Sequence, residues 1–308
     1  LNKTFSSDVV INDHILVLGA ESVGLNIKAY GASLAEVAVE AGAALVVSGD
    51  QGRGVQIQMD ASAIASDVSI DGITLLGSGS RGVSVRASDF KGPIYGDSQL
   101  FVSPVDANEW SLDSTSFGSG ADMLITTQIQ NDILIIADKA TALEALVSGG
   151  IDSEIKHDIG GDTVLVGDGS IGFDVTVASS VSNSSSLKIA GDLQLSGDGS
   201  TGAAFRYDDT GLVGTTIDVA GDVVVLGEGA QGISWRADNV GSASLDIHLG
   251  NDIYALGKGA LGVEAVSIGA QSTALVNFDV SGNALAEGNG ARIIRFEGSG
   301  AETNGLIE

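Results

Sequence analysis

The chain has 308 residues with 44 glycines, two prolines and no cysteine, which excludes disulfide bonds and thiol catalysis. Its formal net charge of −26, from 40 acidic and 14 basic residues, opposes phosphate backbones and anionic lipid surfaces, so nucleic acid is not an expected partner. No apolar run reaches the roughly 18 residues of a membrane-spanning helix, and no membrane insertion of this segment is expected.

A repeat of about thirty residues begins near the N-terminus. Gly19 and Gly49 are thirty residues apart, and each is followed five residues later by a second glycine, Gly24 and Gly54. These two glycine positions recur at Gly77, Gly82, Gly167, Gly172, Gly197, Gly202, Gly227, Gly232, Gly257, Gly262 and Gly288. Self-similarity at this period predicts a stack of one supersecondary unit, because no single unit can bury its apolar side alone.

Residues 88–117 interrupt the repeat. They hold both prolines and several aromatic residues, and the sixty residues between Gly77 and Ala137, which would fit two units, divide unevenly. We predict an irregular insertion here, a loop on a rigid scaffold that binds a glycan or a protein. The alternative is a loop that packs its own apolar residues against the scaffold. The binding candidates are Phe90, Tyr95, Phe101, Trp110, Asp97 and Asp106.

The unit that follows departs from the glycine pattern. Ala137 and Ala142 stand where the other units have glycine, so a different corner conformation is expected there. Read in isolation, residues 138–147 (DKATALEALV) also have the composition of a helix, which is the local alternative to a strand.

Apolar residues alternate with a period of two inside each unit, which predicts strands. Phe173, Val175 and Val177 follow a second glycine in this way, and two further apolar segments complete each unit. Three short strands per coil, turned by Gly, Asn, Asp or Ser, predict an all-β fold. We expect a parallel β-helix of about ten coils that forms a single domain over residues 1–308, right-handed because parallel crossovers generally are.

Aspartates recur every thirty residues just before one strand of successive units. Stacked in a β-helix they would form an acidic ladder, in which neighbouring charges repel by about 0.9 kcal/mol even in water. One interpretation is that each carboxylate accepts backbone N–H groups at the corner; the other is a structural Ca²⁺ ion, which prefers clustered oxygen ligands. No other cofactor is expected. The candidate metal ligands are Asp132, Asp162, Asp192, Asp222 and Asp252.

Catalytic motifs do not stand out in the sequence, so an enzyme is not the favoured interpretation. The three histidines are scattered, and the glycine-rich GDGSTG type of segment recurs in every coil, which indicates corners and not a phosphate loop. Arg86, Arg206 and Arg236 share one outward position and would suit a β-helical enzyme acting on acidic polysaccharides; solvated surface arginines are the simpler interpretation.

The repeat units resemble those in the passenger regions of Gram-negative autotransporters. The segment VVVLGEGAQGISWRADNVGSASLDIHLGND carries the resemblance through its periodic glycine, aspartate and apolar positions, which extend over most of the chain. The family has a signal peptide before such a region and a barrel domain after it, so we expect this sequence, which begins at Leu1, to be a fragment. The resemblance implies an extracellular stalk or adhesin on the outer-membrane surface.

Three functional hypotheses follow. The favoured one is a surface-displayed structural and adhesive β-helix that binds a glycan, a protein or another cell through its loops. The second is a polysaccharide-degrading β-helix enzyme. The third is a filament subunit that associates with itself end to end, since open β-helix ends expose unpaired backbone groups.

Overall fold

The computed structural model describes residues 4–61, 63–89 and 122–307, and in these residues all regular structure is β-strand. The first four coils consist of β1 (Thr4–Ile11), β2 (Ile15–Val17), β3 (Val23–Ala32), β4 (Leu34–Ala41), β5 (Leu45–Val47), β6 (Arg53–Ala61), β7 (Ala63–Ile70), β8 (Ile73–Leu75), β9 (Arg81–Asp89), β10 (Asp122–Ile129), β11 (Ile133–Ile135) and β12 (Thr141–Ser148).

The remaining coils continue the same order of strands. They consist of β13 (Asp152–Ile159), β14 (Thr163–Leu165), β15 (Ile171–Ala178), β16 (Ser182–Ile189), β17 (Leu193–Leu195), β18 (Thr201–Asp208), β19 (Leu212–Val219), β20 (Val223–Val225), β21 (Gln231–Asp238), β22 (Ser242–Leu249), β23 (Ile253–Ala255), β24 (Leu261–Val280), β25 (Ala284–Ala286) and β26 (Arg292–Ile307).

The strands stack into a β-solenoid with three parallel faces. The first long face begins with β1 and β4, the narrow face consists of the three-residue strands, and the second long face begins with β3 and β6. β24 and β26 each run through the corner between the two long faces and contribute to both. Nine complete coils result, with about thirty residues in each, so the predicted fold is confirmed.

The register shows how the thirty-residue period arises. On the narrow face Ile133 pairs with Thr163, which pairs with Leu193, and each of these two steps is thirty residues. Equivalent residues therefore lie directly above one another, and the inward positions form columns that are mainly apolar. The predicted inward residues Phe173, Val175 and Val177 are fully buried in these columns.

The stack continues across the interruption in the sequence repeat. β7 pairs directly with β10 and β9 pairs directly with β12, so the sixty residues from Gly77 to Ala137 supply one coil step and not two. Strand β9 includes Ser88 and Asp89, the first two residues of the predicted insertion, so these two belong to a regular coil. Residues 90–121 lie outside the described residues.

The unit with alanine in the glycine positions keeps the common corner. Lys139 has a φ of 55°, close to the 62° of Gly169 in the next coil, and its N–H donates to Asp168 O at 2.8 Å as that of Gly169 does to Asp198 O. The expectation of a different corner was therefore wrong. So was the helical alternative for residues 138–147, because the strand pairing of β12 on both sides outweighs its local helix propensity.

Glycine at the first repeat position is needed for close packing between coils. A Cβ atom added to Gly167 would overlap the carbonyl oxygen of Ala137 in the coil before it. The left-handed residue of the corner is a different one, two positions further on at Gly169. The repeat of glycines thus records where one backbone passes directly over another.

Candidate functional site

The predicted acidic ladder lies at the corner where each coil enters the narrow face. The Oδ1 atom of Asp132 accepts the backbone N–H of Asp162 at 2.8 Å, and Asp162 in turn accepts the N–H of Asp192 at 2.8 Å. The pattern continues through Asp222 and Asp252 to Asn283. Each carboxylate therefore joins its own coil to the next, which is the structural interpretation of the ladder.

A second ladder borders the other side of the narrow face. The Oδ1 atoms of Asp138, Asp168 and Asp198 accept the backbone N–H of the residue one coil further on, at 2.9, 2.8 and 2.7 Å. The ladder reaches Glu228, whose carboxylate pairs with Lys258 at 2.5 Å. Both edges of the narrow face are thus lined with carboxylates.

The Ca²⁺ hypothesis for the first ladder stays a prediction. Within the described ranges, no three or more His, Asp or Glu side chains are grouped so that they could hold a metal ion. At Asp252 the backbone N–H of Asn283 and then the phenol of Tyr254 hold the pKa of the carboxyl below its usual value. One oxygen of each ladder carboxylate is occupied by the next coil.

Two mainly apolar columns, one half-buried and one exposed, run between the acidic ladders, and the sequence pattern did not predict them. Leu134, Val164 and Val224 point outward from the narrow strands, and Ile136 and Val166 follow two positions later. Ile136 is 49% exposed and Val166 is 46% exposed, although both belong to apolar runs. The signal was in the unbroken apolar runs at residues 133–136, 164–166 and 223–226, since a strand with one solvent-exposed face should alternate apolar and polar residues.

A shallow depression of about 360 Å³ lies where the first long face begins, beside Asp122, the first described residue after the gap at 90–121. Its walls combine carboxylates, hydroxyls and apolar side chains. Lys156 contacts Glu154 at 2.6 Å beside it. The lining residues are Ile64, Asp122, Met123, Leu124, Asp152, Ser153, Glu154, Ser182 and Ser184. Carboxylate and hydroxyl acceptors beside apolar surface are suited to hydroxyl-rich ligands such as glycans.

Two of the three outward arginines form ion pairs with a neighbouring carboxylate. Arg206 contacts Asp174 and Arg236 contacts Asp238, both at 2.6 Å, which agrees with the simpler interpretation of these residues.

The third arginine of that position lies in a more crowded cluster on the second long face. Arg86 interacts electrostatically with Arg81, Arg53 and Glu144, and burial lowers its pKa to about 9. Glu144 accepts the hydroxyl of Ser84 at 2.5 Å and contacts Arg81 at 3.4 Å. This cluster is the densest concentration of arginine on the described surface.

His157 points into the rod and is not a surface group. Its ring is 2% exposed, lies 6.2 Å from that of Phe173, and has no hydrogen-bond partner at either nitrogen. Burial lowers its pKa to about 4, so the imidazole is neutral at pH 7. His14 and His248 are exposed. The histidines are therefore as scattered in space as in sequence.

The interior also contains a chain of polar side chains. Thr215 Oγ1 accepts the indole N–H of Trp235 at 3.0 Å and lies 2.8 Å from the hydroxyl of Tyr207. In an adjoining group, Asn183 donates to Ser153 Oγ at 2.9 Å and accepts from Ser185 at 2.8 Å. These bonds satisfy buried polar groups between coils.

The aromatic and acidic candidates of the insertion lie outside the described residues. These are Phe90, Tyr95, Phe101, Trp110, Asp97 and Asp106. Their role in binding stays a prediction.

No family model, curated protein or solved structure matches the chain. A search of the described residues for a long apolar helix able to cross a membrane found none.

Proposed function

We propose that this chain is the structural and adhesive part of a bacterial surface protein, a rigid rod that binds glycan or protein on other cells or in a matrix. Its location outside the cell, at the outer-membrane surface, belongs to the same proposal. The observation that carries it is the depression beside the insertion, where Asp152, Glu154 and Ser184 offer hydrogen-bond acceptors next to Leu124.

The rigidity of the rod supports this proposal. Because β7 pairs with β10 without a gap in register, the scaffold on both sides of residues 90–121 is one continuous stack. A recognition segment inserted there would be held at a fixed place on a stiff body, next to the depression. Binding by such a segment loses little affinity to motion of the scaffold.

Replacement of the insertion tests the proposal. In the next coil, three residues join β12 to β13, namely Gly149, Gly150 and Ile151. Since Asp89 already occupies the place of Gly149, exchanging residues 90–121 for the dipeptide Gly-Ile should close the coil without strain. Adhesion to cells or to a glycan array should fall at least tenfold while the melting temperature stays within a few degrees. Unchanged adhesion would contradict the loop assignment.

A pair of substitutions tests the depression separately. Asp152→Asn with Glu154→Gln removes two charges from its wall, and we expect adhesion to weaken about fivefold or more. The control pair, Asp158→Asn with Asp208→Asn, removes two exposed carboxylates elsewhere on the rod and should leave adhesion unchanged. Equal losses in both variants would show that only net charge matters.

End-to-end assembly is a second candidate function. Phe5, Val9 and Ile11 in the first coil are only partly buried, as are Ile294 and Phe296 in the last. A further coil would cover these core residues, whether it comes from the same chain or from a second copy, and head-to-tail contact between copies does not close on itself. Light scattering that grows with concentration would support filaments; a constant monomer mass would refute them.

A further inference from the structure

The narrow face of coils four to seven carries a four-column pattern that we call the narrow-face band. Its outer columns are acidic and its inner columns are mainly apolar. The acidic members are Asp132, Asp162, Asp192, Asp222, Asp138, Asp168, Asp198 and Glu228, and the apolar members are Leu134, Val164, Val224, Ile136, Val166 and Leu226. Gln194 and Ser196 interrupt the inner columns in coil six.

One of the two inner columns is well exposed for apolar side chains, whereas Leu134, Val164 and Val224 of the other are half-buried. Ile136, Val166 and Leu226 keep 46% to 49% of their surface in water. The same row extends beyond the band to Leu76 and Leu18, which are 46% and 70% exposed. This row is interrupted by Ser48 and Ser196 but is otherwise apolar, and an exposed apolar row along a strongly acidic rod typically marks an interaction surface.

The carboxylates on both sides of this row determine which charge a binding partner should carry. A second copy of the chain placed face to face would bring carboxylate ladders against carboxylate ladders, and Lys139 and Lys258, which continue the positions of the second ladder, are too few to offset eight acidic groups. A partner with positive charges on both sides of an apolar row would meet opposite charges on both edges. Charge complementarity thus favours a cationic partner over self-association.

We propose that the narrow-face band docks a cationic amphipathic polypeptide, with its apolar side on the inner columns and its Lys or Arg residues on the two ladders. This surface shares no residue with the depression or with residues 90–121, so the inference goes beyond the adhesive function. Four coils span about 19 Å along the rod axis. A helix of 14 residues has a length of about 21 Å, which matches the band.

The probe is a fluorescein-labelled 14-residue helix of two heptads with Leu at positions a and d and Lys at e and g. Its control has Glu in place of every Lys. Anisotropy titrations at low salt should show saturable binding of the Lys peptide and none of the Glu peptide. Raising the salt concentration tenfold should weaken binding at least tenfold, because the ladders are exposed to screening ions.

Two variants with matched controls locate the site. The double substitution Ile136→Ser with Val166→Ser introduces the residue that Ser196 already provides at the equivalent position of coil six. It should weaken peptide binding about tenfold. Ile151→Ser with Val181→Ser removes two equally exposed apolar residues at another corner and should have no effect.

The charge variant is Asp162→Asn with Asp192→Asn. Asparagine keeps the Oδ1 atom that accepts the next coil's N–H, so the coil should stay intact. We expect several-fold weaker binding, whereas Asp158→Asn with Asp208→Asn should bind the peptide like the parent chain. A Trp fluorescence melt verifies that each variant is folded.

Three outcomes would overturn the proposal. They are equal binding of the Lys and Glu peptides, narrow-face variants that bind no worse than their controls, and sedimentation data showing a dimer that the Ser substitutions abolish. Peptide binding that survives replacement of residues 90–121 while adhesion is lost would separate this site from the adhesive one.

Discussion

His157 provides a pH test of the solenoid interior. The imidazole is buried in the first long face of coil five, and its pKa is lowered to about 4 because the charged form would lose its hydration. In the unfolded chain a histidine has a pKa of about 6.5. Between these two values the unfolded chain binds a proton that the folded chain does not, so lowering the pH favours unfolding.

The magnitude follows from the two pKa values. At pH 7 both forms of the chain hold a largely neutral imidazole and the effect is small. At pH 5 the folded rod is destabilised by about 2 kcal/mol, and below pH 4 the loss levels off near 3 kcal/mol. The neighbouring coil has Leu187 at the same inward position, so His157→Leu should remove the effect while filling the space.

Urea unfolding at pH 7 and pH 5 measures the difference. The parent chain should lose about 2 kcal/mol more than His157→Leu between these pH values, because changes at the many carboxylates are common to both and cancel. His248→Gln, at an exposed position, should behave like the parent chain. Equal pH dependence in the parent chain and in His157→Leu, or an imidazole that titrates near pH 6.5 in the folded protein, would refute the reasoning.

Three further predictions concern bonds between coils. Thr215→Val should destabilise the rod by about 2 kcal/mol in urea unfolding, because the Trp235 N–H loses its acceptor; Thr215→Ser, which keeps the hydroxyl, should lose less, and equal losses would contradict this role. Asp192→Ala should cost about 1 kcal/mol by leaving the N–H of Asp222 unpaired, whereas Asp192→Asn should stay close to the parent value. Melting temperatures in Ca²⁺ and in EDTA should agree, since the ladder carboxylates already bond to the next coil; a rise with Ca²⁺ would establish a structural ion.

The period of the glycines predicted the coil, and the alternation of apolar residues predicted which side chains point inward. Both patterns are local consequences of stacking, since Gly167 must pass over Ala137 and Phe173 must fill the interior. The corner at Lys139 could not be predicted by the same logic. Its left-handed conformation is imposed by hydrogen bonds to the adjacent coil, which outweigh the residue's own preference.

The surface was less predictable than the core. The thirty-residue spacing of the aspartates predicted an acidic ladder but not its role. That role follows from the position of Oδ1, which accepts the backbone N–H of the residue one coil further on. The apolar columns of the narrow face were hidden because Ile133 and Ile136 have the same character in sequence, yet one is buried and the other is half exposed. The two residues differ in that Ile133 lies inside the three-residue strand Ile133–Ile135, whereas Ile136 follows it.

Cross-linking across the interruption tests the continuous stack most directly. Asp67 of β7 pairs with Thr126 of β10, 59 residues away in sequence, and parallel partners lie about 4.8 Å apart. Since the chain has no cysteine, Asp67→Cys with Thr126→Cys introduces one defined pair that is within reach of a disulfide bond. Mild oxidation should cross-link this pair, while Asp67→Cys with Lys156→Cys, two coils apart, should stay reduced. Cross-linking of the second pair but not the first would contradict the stack.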